Sequence, residues 1–146
     1  MNRVLLTLLI PVAIALTACG GSSSSSTPPA AAPTVAAEPA NAAGLAVYKQ
    51  YCIACHQQGG TGMAGMFPPL AKSDWVNGDK ERIIKVVLNG QQGEIVVNGE
   101  KYNNAMVPHN FLTDQQIADV LTYVRSSFGN TSGPVTPEEV AALRGK

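Results

Sequence analysis

The sequence predicts a small, mostly α-helical domain carrying one β-hairpin. Three observations lead there. Apolar residues recur at helical spacing between capping residues, most clearly Ile117, Val120, Leu121 and Val124 after Thr113. Asn98-Gly99 separates two extended-looking segments, a two-residue hairpin signal. All eight aromatic residues fall between Tyr48 and Phe128, which confines the core to that interval.

The elements follow in order. "NAAGLAVYKQYC" predicts a first helix with Asn41 as its N-cap. "NGDKERIIKVVLNG" predicts a second, capped by Asp79 and closed by Gly90, with Ile84, Val87 and Leu88 as its apolar stripe. Its charges Lys80, Glu81, Arg82 and Lys85 read as a solvated face. The hairpin lies in "GEIVVNGEKY". Thr113 and Gln116 form a capping box for the third helix, which Gly129 closes. In the tail, Thr136, Pro137 and Glu139 start a short helix. Val140, Ala141 and Leu143 give it an apolar side, which either folds back on the domain or contacts a partner.

Four segments divide the chain. Residues 1–18 hold one positive charge and then "VLLTLLIPVAIALTA", a secretory signal pattern too short for a full membrane span. The following "LTACG" resembles a bacterial lipobox, which marks Cys19 for lipidation and anchors the chain to a membrane. Gly20 rather than aspartate after Cys19 resembles lipoproteins sorted to the outer membrane, facing the periplasm. Residues 19–42 are Ser/Gly-rich and then Pro/Ala-rich, a tether without core-forming residues. As a coil, its reach from Cys19 to Gly44 is roughly 25–30 Å. Residues 43–128 form the domain, and 129–146 a C-terminal extension. Without residues 1–18 the chain loses only Arg3 among its charges, leaving one net negative charge. That balance speaks against nucleic acid as a partner.

The chemistry concentrates in "QYCIACHQQGG". A thioredoxin-like pair requires a βαβ setting, which the pattern lacks. A zinc site requires four ligands, and only His109 and the tether's Cys19 remain. Cys-x-x-Cys-His is the signature of covalent haem attachment. Two thiols on one helical turn, Cys52 and Cys55, each reach one vinyl group, and His56 is carried under the iron. A core of about 86 residues is also marginal by itself, so an internal apolar cofactor suits it. For the opposite face of the iron the candidates are Met63, Met66, Met106 and His109. Met106 is favoured by its Pro- and Asn-rich loop, "YNNAMVPHNF". The fifty residues separating it from His56 let the chain wrap to the other face. Met63 and Met66 read as loop packing at the rim. His109 reads as exposed, near a haem propionate, or as the alternative ligand. Trp75 and Tyr102 carry donors that suit propionates, or they pack in the core.

With these residues in place, the domain resembles the class I cytochromes c. The resemblance covers residues 43–128. Gly44, Tyr48 and Cys52 stand at i, i+4 and i+8, Pro68 of "FPPL" follows His56 by twelve residues, and "IADVLTYVRSSFG" closes the domain. "YN..M" followed by "VLTYVR" is similar to cytochrome subunits and fused cytochrome domains of bacterial periplasmic dehydrogenases and nitrite reductases. The one departure is Val107 between Met106 and Pro108. The resemblance implies an all-α class I fold, with three main helices around one haem c and a hairpin inserted before the methionine loop. It implies that Gly44 and Tyr48 meet Val120, Tyr123 and Val124, and that the Pro68 carbonyl accepts from His56 Nδ1–H. It further implies that Leu70 packs on the haem and that His56 and Met106 ligate the iron.

A filled iron shell suits single-electron transfer between redox proteins rather than substrate chemistry. Two alternatives stand beside a free electron carrier. One is a dedicated subunit of a larger oxidoreductase. The other is a gas sensor or peroxidase with a labile sixth ligand. Residues 52–70 and 102–113 contain no Asp, Glu, Lys or Arg. By the resemblance they surround the haem edge and form an uncharged docking patch.

Overall fold

A computed structural model describes residues 40–146. The predicted signal segment, Cys19 and most of the tether lie outside the described residues. Helix α1 (Ala40–Tyr51) starts one residue before Asn41, so that residue sits inside the helix rather than at its cap. A four-residue helix α2 (Ile53–His56) follows directly. Helix α3 (Asp74–Asn77) is equally short and was not legible from periodicity. The Ser73 hydroxyl caps it by accepting from the Trp75 and Val76 amides. Helix α4 (Lys80–Asn89) is capped by Asp79, whose carboxylate accepts from Glu81 N, and it ends at Gly90.

Strands β1 (Ile95–Val97) and β2 (Glu100–Tyr102) form the expected antiparallel hairpin, with Ile95 opposite Tyr102. Asn98 and Gly99 both have positive φ, 52° and 83°, the two left-handed residues that a type I′ turn needs. The turn is bolted to α3. Asp74 N donates to Asn98 Oδ1 at 2.9 Å, and Asn98 N donates back to Asp74 Oδ1 at 3.0 Å. Helix α5 (Asp114–Ser126) has the complete Thr113–Gln116 capping box. It ends at Ser126, where Ser127 turns extended, and Phe128 and Gly129 then both turn left-handed. The reversal lays the Phe128 ring against Tyr48, with centroids 5.3 Å apart.

Helix α1 crosses α5, and the crossing is tight at Gly44. A Cβ there would collide with the Asp119 carbonyl oxygen and lie 2.6 Å from Tyr123 Cβ. Tyr48 stacks tilted on Tyr123 at 5.7 Å, and Val120 and Val124 are buried in the same core.

Helix α6 (Pro137–Leu143) also has its full capping box. The tail folds back on the domain: Val135, Val140 and Leu143 belong to the core cluster, and Val140 is fully buried. Val140 and Leu143 of its apolar side are thus covered, whereas Ala141 is exposed. Lys80 of α4 pairs with Glu139 of α6 at 2.7 Å, and Arg82 stacks over the Trp75 ring at 4.4 Å. Those two side chains depart from the solvated-face reading. Lys85 and Glu81 keep to it as a surface i,i+4 pair.

Candidate functional site

The Cys52–His56 run lies where α1 passes into α2. The α1 helix continues through Cys52 N, which bonds Tyr48 O at 2.9 Å, and His56 N bonds Cys52 O at 3.0 Å. Cys52, Cys55 and His56 are thus on one turn, and all three line one apolar cavity of about 1390 Å³, its open mouth included. Directly after His56 the backbone reverses at Gln57, with φ 64°. The reversal is pinned by the Tyr48 hydroxyl, which donates to Gln57 O at 2.7 Å. One tyrosine therefore joins the helix crossing to the placement of the histidine.

His56 is buried, and its Nδ1 lies 3.0 Å from the Pro68 carbonyl oxygen. A carbonyl only accepts, so Nδ1 carries the proton and Nε2 keeps its lone pair free for a metal. Burial holds the ring below the ordinary histidine pKa, the Pro68 bond opposes the shift, and nearby His109 adds to it. The imidazole is neutral at pH 7, the form a metal needs. Burial, with Cys55 beside it, pushes the Cys52 thiol up to about 11. It is a protonated thiol, unlike the depressed thiolates of redox pairs. Both cysteines are free of disulfides. Among the described residues, no three His, Cys, Asp or Glu side chains gather as metal ligands.

Met106 and His109 also line the cavity, whereas Met63 and Met66 do not. The latter two lie in a tight loop closed by Met63 and Phe67, and are 44% and 45% exposed. The Met106 backbone is clamped to Gln91 by two hydrogen bonds, N to O, at 2.8 and 3.0 Å. Gly90, with φ 77°, makes room for this, because a Cβ there would strike the Met106 carbonyl oxygen. His109 is buried rather than exposed, and its Nδ1 has no hydrogen-bond partner in the protein. A buried unpaired imidazole nitrogen is costly. Two thiols, one free imidazole nitrogen and a thioether around an apolar space fit a haem.

The remaining expected residues divide. Leu70 lines the cavity, and its backbone is fixed by Leu70 N to Gly60 O at 2.8 Å and by Asn130 Nδ2 to Leu70 O at 2.8 Å. Trp75 lines the wall, yet its indole N–H donates to Val96 O at 2.7 Å. Tyr102 is not among the lining residues, and its hydroxyl donates to Glu100 at 2.8 Å. Both donors are thus used inside the hairpin region rather than aimed at a guest. Three supporting residues escaped sequence reasoning. Asn130 ties Leu70 to the carbonyl of Val124. Buried Arg125 donates to the carbonyls of Val76 and Gly133. Gln91 carries the Met106 clamp. Only Arg125 had a signal, a charge four residues after Leu121 on the apolar stripe.

The Cytochrome c family model matches residues 41–128. This chain belongs to the cytochrome c family. A cytochrome c-552 of Thermus thermophilus is 41% identical over 116 residues, covering 73% of this chain and 78% of the relative. The cytochrome c subunit of the quinone alcohol dehydrogenase of Gluconobacter oxydans is 35% identical over 106 residues. That match covers 70% of this chain and 22% of the subunit. The cytochrome c subunit of gluconate 2-dehydrogenase of Pantoea cypripedii is 35% identical over 109 residues, covering 69% and 24% respectively. The cofactor of this cytochrome c is covalently attached haem c, and Cys52 and Cys55 fit its attachment motif. The cytochrome is an electron carrier.

Proposed function

We propose that this cytochrome carries single electrons between redox proteins on the periplasmic side of a membrane, held there by a lipid on Cys19. The observation that carries the electron-transfer reading is one cavity lined by Cys52, Cys55, His56 and Met106. Cys52 and Cys55 would hold the haem through thioethers, and His56 and Met106 would ligate its iron. When bound, the haem supplies the one-electron redox centre. His56 is held in its ligating tautomer by Pro68. The Met106 thioether favours the reduced state and raises the potential. Apolar walls exclude water and keep small molecules from competing for the metal. The test is the absorption spectrum of the membrane-extracted full chain, oxidised and reduced, followed by carbon monoxide. A c-type spectrum with the far-red sulfur-to-iron band and no response to the gas supports the reading. A missing band or rapid gas binding sinks it in favour of a sensor or peroxidase.

The docking surface is uncharged. Met63, Met66, Val107 and Phe111 are exposed, and all four lie in the two charge-free segments. The partner therefore presents an apolar, uncharged face. Electron-transfer rate to a purified partner is expected to change less than about twofold between low and moderate salt, since steering needs charge. A steep fall with salt would contradict this.

The names of the dehydrogenase-subunit relatives favour a second reading, a dedicated subunit of a larger oxidoreductase. Under it the same patch is the subunit contact, because the C-terminal helix is already packed in the core. Co-purification from native membranes as a stable complex separates the two.

A further inference from the structure

The C-terminal helix ends in an arginine that reaches back across the domain. The Arg144 guanidinium donates from Nε to Asp114 Oδ1 at 2.7 Å, from Nη1 to Asn110 O at 2.7 Å, and from Nη2 to Leu112 O at 2.8 Å. Nη2 also lies 2.7 Å from the same Asp114 Oδ1, so one carboxylate oxygen meets two guanidinium nitrogens. These acceptors all belong to the stretch that leads from Met106 into α5. That loop is anchored at its start by Gln91 and in its middle by His109 N to Val87 O at 2.8 Å. Beyond His109, Asn110 and Phe111 are exposed, and Phe111 keeps 63% of its surface. Other holds on that half are the buried Leu112 side chain, its turn bond to His109 O, the Thr113 cap, and the Phe111 ring against Tyr51 at 5.4 Å and His109 at 5.7 Å.

We propose that Arg144 is a positioning residue for the sixth iron ligand, closing the far half of the methionine loop so that Met106 stays seated. The proposal rests on the His56/Met106 reading above. A sulfur ligand on ferric iron competes with any small base that reaches the metal. What retains it is the loop's low freedom to swing away, and each anchor reduces that freedom. Two free carbonyls and a carboxylate would otherwise be solvated, and the far half of the loop would lose its hydrogen bonds to the C-terminal helix. Arginine is needed for the task. Lysine keeps the charge but has no planar fork to span two carbonyls and a carboxylate.

The test uses the intact haem-loaded chain, with exogenous imidazole as the competing base and the far-red sulfur-to-iron band as the signal. Arg144→Gln is expected to bind imidazole to the ferric form about tenfold more tightly and to lose the band on warming before the fold melts. Arg144→Lys should fall between it and the unaltered chain. Lys80→Gln is the control, since it breaks the α4–α6 ion pair at the opposite end of the same helix. It should lower the melting temperature and leave imidazole affinity unchanged. Imidazole affinity in Arg144→Gln within twofold of the unaltered chain overturns the proposal. So does an equal gain in Lys80→Gln, which would reduce α6 to general support. An unaltered chain without the band sinks the Met106 reading itself, and this proposal with it. The band present but insensitive to Arg144 sinks only this proposal.

Discussion

Met106→Ala is expected to lower the reduction potential by on the order of 0.1 V, a modest part of the roughly 0.8 V that axial ligands span. The reasoning starts from the loop. Among the described residues, Met106 is the only methionine lining the cavity, and the Gln91 clamp beside Gly90 restrains its backbone. No other thioether can therefore replace it without rebuilding the loop. Removing the side chain withdraws the soft ligand that favours ferrous iron, so the oxidised form gains relative stability. The far-red band should vanish, and reduced protein should bind carbon monoxide. The fold should survive, because Met106 is half-buried at the cavity wall and its loop is held by backbone bonds. Protein-film voltammetry with the visible spectrum checks this. An unchanged potential and an intact band in Met106→Ala would move the sixth position elsewhere, with His109 the first place to look.

Gly44→Val is expected to cost about 3 kcal/mol or more, at the upper end of overpacking effects. Most overpacked cores relax by moving side chains. Here the first obstacle is the Asp119 carbonyl, which belongs to the backbone of α5 and cannot rotate away. Relief requires parting the two helices. That would pull Tyr48 from Tyr123 and Phe128, and loosen the Tyr48 hydroxyl bond to Gln57 beside His56. For a domain of this size the loss corresponds to a fall of roughly 10–20 °C in melting temperature. Gly44→Ala should already show part of it, since the clash begins at Cβ. A melting curve for Gly44→Val that overlays the unaltered one would mean the helices do not cross at this residue.

Much of the architecture could be read locally. Asp79 with Gly90, Thr113 with Gln116, Asn98-Gly99 and Thr136 with Glu139 all stand at the ends and turns that they predicted. Caps and turns are legible because the bond they make is only two or three residues away in sequence. The four-residue helices α2 and α3 are too short for a period to show. Other misses were bonds from side chains to distant carbonyls. Asn130 to Leu70 spans 60 residues and Arg144 to Leu112 spans 32. Such a bond needs only a donor of the right length, so nothing in the neighbouring sequence marks it. The site shows the same division. "CIACH" announces its chemistry within five residues. That the Trp75 indole is committed to Val96 depends on a hairpin 21 residues away.

The α1–α5 crossing also sets an order of events in the making of the protein. The chain emerges from its N-terminal end, so Cys52, Cys55 and His56 appear long before Asp114–Ser126 exists to cover α1. The core cannot close until residues as late as Val140 and Leu143 have arrived. Contacts of such long sequence separation form slowly, because a long loop must first be closed. The two thiols thus remain on an open, unfolded segment throughout that interval. A cofactor attached in that interval would give the two ends of the chain a common point around which to meet.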